Sequence, residues 1–326
     1  VSKPAVTVII PTHRPHADRL RRTLQGLRDQ TLPASDWELL LIDNASHPAV
    51  SPDDFAASAP ANLRLVAESR LGLSHARRRG FTEARGDILV LVDDDNVLAP
   101  DYLARILDHF NTHPSVGALG GRSVPEFESP PAPWATPFFD LLAIRDLGPA
   151  PLFSSLSPPD SDRDAYPVCA PIGAGMALRR AAVQPWLDHA DPAALSDRRG
   201  GELTSGGDND IVIHLLRSGW SAAYFPDLSL THIIPAGRLE PAYLARLNRG
   251  IQKSWLQLLL RHGLSNWPAI PRWSVPLRQI RAWFTFRAWS SPAARIRWQG
   301  ACGHFEGRVI LSPAASLPPR SSASTK

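Results

Sequence analysis

The sequence is poor in the residues and runs that mark several common protein classes. Only two cysteines, Cys169 and Cys302, stand in 326 residues, which excludes a disulfide framework and a cysteine-built zinc site. The expectation is two reduced, structural thiols in a cytoplasmic protein. Lysine is nearly missing: of 35 basic residues only Lys3, Lys253 and Lys326 are lysines. The remaining 32 are arginines, and alongside abundant Ala and Pro they point to a GC-rich genome before any functional need. No apolar run approaches the ~18 residues that span a bilayer, and the first residues lack the basic and long apolar regions of a signal peptide. The phosphate-binding signature G-x-x-x-x-G-K-[ST] is absent, and the stretch GAGMAL at 173–178 breaks the dinucleotide fingerprint at its third glycine. Neither an NTPase nor a dehydrogenase is supported.

What is present can fill a core. An apolar content of 44% over this length suits one large α/β domain with an appendage, or two modest domains. Charge is unevenly placed. Residues 241–326 hold 13 Lys/Arg and one acid, Glu306, for a net +12, which leaves 22 bases and 30 acids, net −8, in residues 1–240. The same C-terminal stretch carries six of the ten tryptophans, a pairing suited to an anionic interface. No nucleic-acid-binding motif accompanies it.

Short β-branched and Leu-rich runs recur at 6–10, 38–42, 63–67 and 88–92, and helix-like stretches follow at 18–30, 73–84 and 101–113. This rhythm predicts a mostly parallel sheet flanked by helices. In such sheets ligands gather at the carboxyl ends of the strands, where Pro11, Thr12, His13 and Arg14, then Asp43 and Asn44, then Asp93, Asp94 and Asp95 stand. The Pro-punctuated stretch 125–167 reads as either a substrate-covering loop or a partly disordered segment, with the loop favoured. Regular structure is expected to resume at 175–178, with a helix at 208–218 and strands at 221–225 and 228–232. A helix is expected over 241–262, and a frayed polar tail over 312–326.

Three clusters invite a chemical reading. The run of Asp93, Asp94 and Asp95 leaves a buried strand, and carboxylates so close raise one another's pKa unless a hard cation is shared with a phosphate-bearing substrate. A solvated acidic turn explains the run equally well. Asp208 and Asp210 lie just ahead of a helix, where acids complement the helix dipole; Gly206 and Gly207 beside them leave room for a substrate and suit a general base. His232 ends a strand, and reads either as a structural residue or as a third ligand for a divalent ion, with Arg238 placed to meet a diphosphate.

Taken in order, VTVIIPT at 6–12, LLIDNAS at 40–46, GLSHAR at 72–77, VDDDN at 92–96 and GGDNDI at 206–211 resemble the successive motifs of family 2 inverting glycosyltransferases. The resemblance covers about residues 5–235. It implies a GT-A fold: a nucleotide-binding sheet over about 5–122 merged with an acceptor and catalytic part over about 123–240, followed by a C-terminal helical appendage over 241–326. Pro11, Thr12, His13, Arg14, Asp43, Asn44, Arg77, Asp93 and Asp94 would bind the donor nucleotide. Asp95, and His232 with it, would hold Mn²⁺ or Mg²⁺. Gly173, Ala174, Gly175, Met176, Gly207 and Asp210 would face donor sugar and acceptor, and Asp208 would be the catalytic base. The sequence departs from the family pattern at Gly207, where a glutamate is common, and at His13, where a tyrosine is usual. The implied donor is a nucleoside-diphosphate sugar, with UDP-sugar favoured, and the acceptor a glycan or lipid-linked hydroxyl in envelope polysaccharide or glycolipid synthesis. The expected location is peripheral, on the inner face of the cell membrane through 241–326, with self-association left open. Two rival readings are a sugar-nucleotide pyrophosphorylase, which should show a basic, Gly-rich triphosphate loop that 11–14 is not, and a non-catalytic sugar-nucleotide-binding module.

Overall fold

A computed structural model describes residues 3–155, 166–189, 203 and 205–309. The expected tail over 312–326 lies outside the described residues, as does 156–165 of the expected covering loop. The chain divides into two compact units, Val1–Leu244 and Ala245–Lys326.

The first unit alternates strand and helix from its start: β1 (Val6–Thr12), α1 (Ala17–Arg28), β2 (Trp37–Asn44), β3 (Leu63–Glu68), α2 (Leu73–Glu83), β4 (Ile88–Leu91), β5 (Asn96–Leu98) and α3 (Tyr102–Thr112). It continues through β6 (Val116–Phe127), β7 (Leu152–Ser154), β8 (Ala177–Arg179), α4 (Arg180–His189), α5 (Gly207–Arg217) and β9 (Ser221–Ile234). The unit boundary falls within α6 (Pro241–Arg261), and the second unit adds α7 (Val275–Thr285) and α8 (Pro292–Gly307).

All nine strands among the described residues join one sheet, in the order β3-β2-β1-β4-β8-β6-β9-β5 with β7 paired to β9. The first four are parallel. Beyond β4 the sheet is mixed: β8 runs antiparallel to both neighbours, β6 and β9 are parallel, and β5 and β7 are antiparallel to β9.

Every residue of β1 and β2 is buried because helices cover both faces, so these strands read as unbroken apolar runs. Alternation still sorts them. Val6, Val8 and Ile10 pack with Leu20, Leu24 and Leu27 of α1, while Ile9 points the other way to Ala76 and Phe81 of α2.

The structure differs from the sequence expectation in four places, one of them inside the stretch expected as a loop at 125–167, which holds a 3-10 helix at Pro133–Leu142 and β7. β6 runs on through Pro125 to Phe127. Its partner β8 pairs only with Ala118 and Leu119, so the N–H that Pro125 lacks breaks no bond to that strand. The two strands expected at 221–225 and 228–232 are one, β9, which absorbs Pro226 in an irregularity between the pairs Gly120–Tyr224 and Arg122–Ser229. Helix α4 was not expected, because Pro185 sits inside it and punctuates the pattern.

Candidate active site

The chain lays β2 and β3 on one side of β1 and then returns to place β4 on the other. That reversal opens a crevice outside the carboxyl ends of β1 and β4, the usual ligand position in such sheets. Thr12 closes it at the base, donating its hydroxyl to Asp94 Oδ2. The next residues are locked to the end of β2. His13 Nδ1 lies 2.7 Å from the Asn44 carbonyl, and Arg14, held at φ 50°, donates its N–H to Ser46 Oγ at 2.8 Å. Pro11 and Thr12 are buried, whereas the His13 and Arg14 side chains are exposed on the rim.

Behind this rim Asp43 and Asn44 are engaged with backbone. Asp43 accepts N–H bonds from Ser46 at 3.2 Å and Val50 at 3.1 Å, shaping the turn after β2. Asn44 donates to the carbonyls of Glu68 and Arg70 and accepts from Gly72 N–H at 2.8 Å. Its side chain therefore ties the end of β3 to the start of α2.

The three aspartates follow β4 after the buried Val92. Asn96 organises their turn, accepting from Asp93 N–H at 3.3 Å and donating to Asp95 Oδ1 at 3.1 Å. Register then fixes a partner from a distant stretch of chain. In the antiparallel pair of β5 and β9, Asn96 stands opposite His232, which brings His232 Nε2 within 3.4 Å of Asp95 Oδ1. Arg238, in the 3-10 turn Ala236–Leu239, completes the group at 3.0 Å from Asp95 Oδ2 and 3.2 Å from His232 Nε2. A guanidinium can only donate, so Nε2 turns its lone pair toward this group. Two buried electron-pair donors thus face one shared positive charge, an arrangement that suits a divalent cation. Among the described residues no third carboxylate, imidazole or thiol forms a cluster of ligand atoms within 4.8 Å with this pair. A cation here would draw its further oxygens from water and substrate phosphate.

Charge crowding shows in Asp94. Burial, then the neighbouring Asp95 and Asp93, push its carboxyl up to about 6, against the hydrogen bond from Thr12, which lowers it.

The corner around Asp208 is built on the loop before β8. Gly173 N–H donates to Asp208 Oδ2 at 2.9 Å, while Asn209 N–H meets Asp208 Oδ1 at 3.0 Å. The carboxylate of Asp208, in the first turn of α5, is therefore held by both oxygens yet stays half-exposed. Arg77 of α2, buried to 4% exposure, presses on the same glycine, since a Cβ at Gly173 would overlap its Nη2 and lie 3.5 Å from Asp208 Oδ2. Gly175 takes φ 74°, and a Cβ there would meet the Tyr102 hydroxyl at 2.5 Å and Leu230 at 2.6 Å. Tyr102 donates to the Gly175 carbonyl at 2.7 Å, and Leu91 N–H to that of Met176 at 2.8 Å. The buried segment Gly173, Ala174, Gly175 and Met176 thus links Asp208 and Arg77 to the end of β4, where the aspartate run begins.

Gly207 is the buried first residue of α5. Asp210 is buried and accepts from Trp186 Nε1 at 2.8 Å, a bond that joins α5 to α4. Tyr102 and Trp186 had no sequence signal, because each acts through a partner remote in the chain. Tyr166 also lies near the corner. Burial, then the charge of Asp208, keep its phenol above the usual range and protonated.

Sheet, crevice and acid cluster together define a GT-A-type architecture. Residues 7–185, more than half of the chain, match the family described as Glycosyl transferase family 2. The chain belongs to that family. It is 24% identical over 274 residues to an N-acetylglucosaminyltransferase of Bradyrhizobium diazoefficiens, covering 82% of this chain and 51% of the relative. An N-acetylglucosaminyltransferase of Rhizobium meliloti is 25% identical over 272 residues, covering 80% of this chain and 59% of the relative. The chain therefore spans little more than half the length of these two. Among solved structures, the mannosyltransferase PcManGT of Pyrobaculum calidifontis, in complex with GDP-Man and Mn²⁺, superposes with a TM-score of 0.53 at 20% identity, over 90% of this chain and 74% of that one. TarS of S. aureus does so at 0.51 and 14% identity, over 87% and 43%.

Proposed function

We propose that this chain is an inverting glycosyltransferase that moves a hexose-type sugar from a nucleoside-diphosphate donor to an acceptor hydroxyl. The observation that carries the reading is the buried loop at 173–176, which touches the base candidate Asp208 at one end and packs beside the strand that delivers Asp93, Asp94 and Asp95 at the other. Proton removal and leaving-group stabilisation then occur in one cleft.

Asp208 takes the acceptor proton as the acceptor oxygen bonds to the anomeric carbon and the bond to the diphosphate breaks on the opposite face, releasing the nucleoside diphosphate. Configuration inverts in this single displacement. Gly173 and Asn209 N–H groups hold the carboxylate in place for that transfer. Asp95 and His232 would hold a divalent ion, Mn²⁺ or Mg²⁺, which when bound supplies Lewis-acid stabilisation of the departing diphosphate. Arg238, beside the acids, supplies fixed positive charge for the phosphates, and Arg77 reaches the nucleotide base. Thr12, His13 and Arg14 line the nucleoside end.

A UDP-sugar is the donor class favoured; the neighbour that holds GDP-Man and the two N-acetylglucosaminyltransferase relatives set the arms of a screen. The acceptor is a lipid-linked or envelope glycan reached at an anionic membrane surface, in line with the net +12 of residues 241–326. No helix among the described residues is long and apolar enough to cross a membrane.

The test is a thermal-shift screen of nucleoside diphosphates and their sugars with Mn²⁺, followed by NMR of the product anomer. A nucleotide that stabilises the protein only with the metal, and an inverted product, are expected. Retention of configuration, or binding that ignores the metal, would overturn the reading.

A further inference from the structure

The second unit carries an apolar face that its own packing leaves open. At about 100° per residue, Leu277, Ile280 and Phe284 fall within an arc of roughly 60° on α7, and the buried Val275 and Ala282 lie on the opposite side. Exposure follows that division, at 62%, 57% and 63% for the three large side chains. The inward side is anchored to α8, where Gln279 Nε2 donates to Glu306 at 2.9 Å and Trp298 Nε1 to the Gln279 carbonyl at 3.0 Å. Two exposed indoles flank the helix: Trp273 ahead of it, and Trp289 beyond it in edge contact with Phe284 at 5.9 Å.

Charge completes the pattern. Arg278, Arg281 and Arg287 are exposed on and just after α7. The single acid of residues 245–326, Glu306, faces inward to Arg249 and Gln279. The surface around the apolar face is therefore cationic without a compensating carboxylate. A second copy docked face to face would bring arginines against arginines, whereas a bilayer of anionic headgroups supplies the counter-charge and accepts the apolar stripe beneath it.

The geometry points to α7 as the element that enters an anionic lipid surface, lying in the plane of the interface with Leu277, Ile280 and Phe284 among the acyl chains and Trp273 and Trp289 at headgroup depth. This rests on the reading that the enzyme works at a membrane surface, and it assigns the contact to one face of one helix.

Co-sedimentation of the full chain with phosphatidylglycerol-containing and pure phosphatidylcholine vesicles tests it, beside the variant Leu277→Asp/Ile280→Asp/Phe284→Asp and the charge variant Arg278→Glu/Arg281→Glu. The expected result is binding to anionic vesicles only, an about 100-fold weaker partition for the apolar variant, and weaker, less salt-sensitive binding for the charge variant. Quenching of the wild-type indoles by brominated lipid needs no substitution and is expected to be strong. Wild-type binding that the apolar variant retains overturns the assignment to α7 and leaves the membrane reading standing. No wild-type binding at low salt overturns both. A dimer in solution that the apolar variant dissociates, without vesicle binding, makes a second copy the occupant and overturns the proposal.

Discussion

Substituting Gly173 by alanine separates donor recognition from base chemistry within one loop. The new Cβ would overlap Arg77 Nη2, and reaching ordinary van der Waals contact requires the guanidinium to retreat by roughly 1 Å. The end of an arginine side chain can make that move cheaply, so the fold should survive. Asp208 Oδ2, by contrast, is 3.5 Å from the same Cβ, an ordinary contact, and its bond from Gly173 N–H is a backbone bond that the substitution keeps. The effect should therefore fall on whatever Arg77 holds. A charge-assisted hydrogen bond to the donor is worth about 1.5–3 kcal/mol, so its loss should raise the donor KM by about 10- to 100-fold while kcat changes by less than about threefold. Steady-state kinetics with varied donor, beside a melting curve, checks both halves. An unchanged donor KM would remove Arg77 from the donor site, and a collapse of kcat alone would show that the loop's first task is to position Asp208.

Three further outcomes follow from the same geometry. Asp208→Asn should keep metal-dependent nucleotide binding, measured by calorimetry, and lose at least ~10²-fold in transfer rate; near wild-type turnover would return Asp208 to the part of a helix-capping acid. Asp95→Ala should abolish transfer and the thermal shift produced by Mn²⁺ with nucleotide, and normal Mn²⁺-dependent turnover would refute the assigned ligand. Asp94, raised to about 6, binds its proton more tightly folded than unfolded, so its contribution favours the fold at low pH and is lost as pH rises through about 6. A cation beside the cluster replaces that proton, so the Mn²⁺-induced gain in Tm should be small at about pH 5 and larger at about pH 7; a pH-independent gain would refute the coupling.

Most of the first half of the fold was legible because it rests on local rules. β1 and β2 are fully buried, so their sequences are unbroken apolar runs, and the polar residues that end those runs are the strand ends themselves. The second half resisted for equally physical reasons. Proline is a local signal, and Pro125, Pro185 and Pro226 each sit inside a regular element whose tertiary surroundings tolerate the missing N–H or the kink. The direction of β8, whose antiparallel pairing makes the sheet mixed, depends on how the preceding chain returns, and a three-residue strand carries no mark of it.

The candidate site divides along the same line. Thr12, Asp43, Asp94, Asp95 and Asp208 stood out in the sequence by type and place, at the ends of buried strands or the start of a helix, where an acid serves a helix dipole as well as a substrate. Their partnerships did not. His232 is separated from Asp95 by most of the first unit, and what joins them is the register of two strands, Asn96 opposite His232, which no spacing rule encodes. Helix geometry explains why Asp210 and Asp208, two residues apart on α5, diverge: one carboxylate reaches Trp186 in the core and the other meets Gly173 at the cleft. Successive positions on a helix turn by about 100°, so two acids separated by one residue point in nearly opposite directions. The helix geometry thus gives the two acids of this motif different surroundings before any substrate binds.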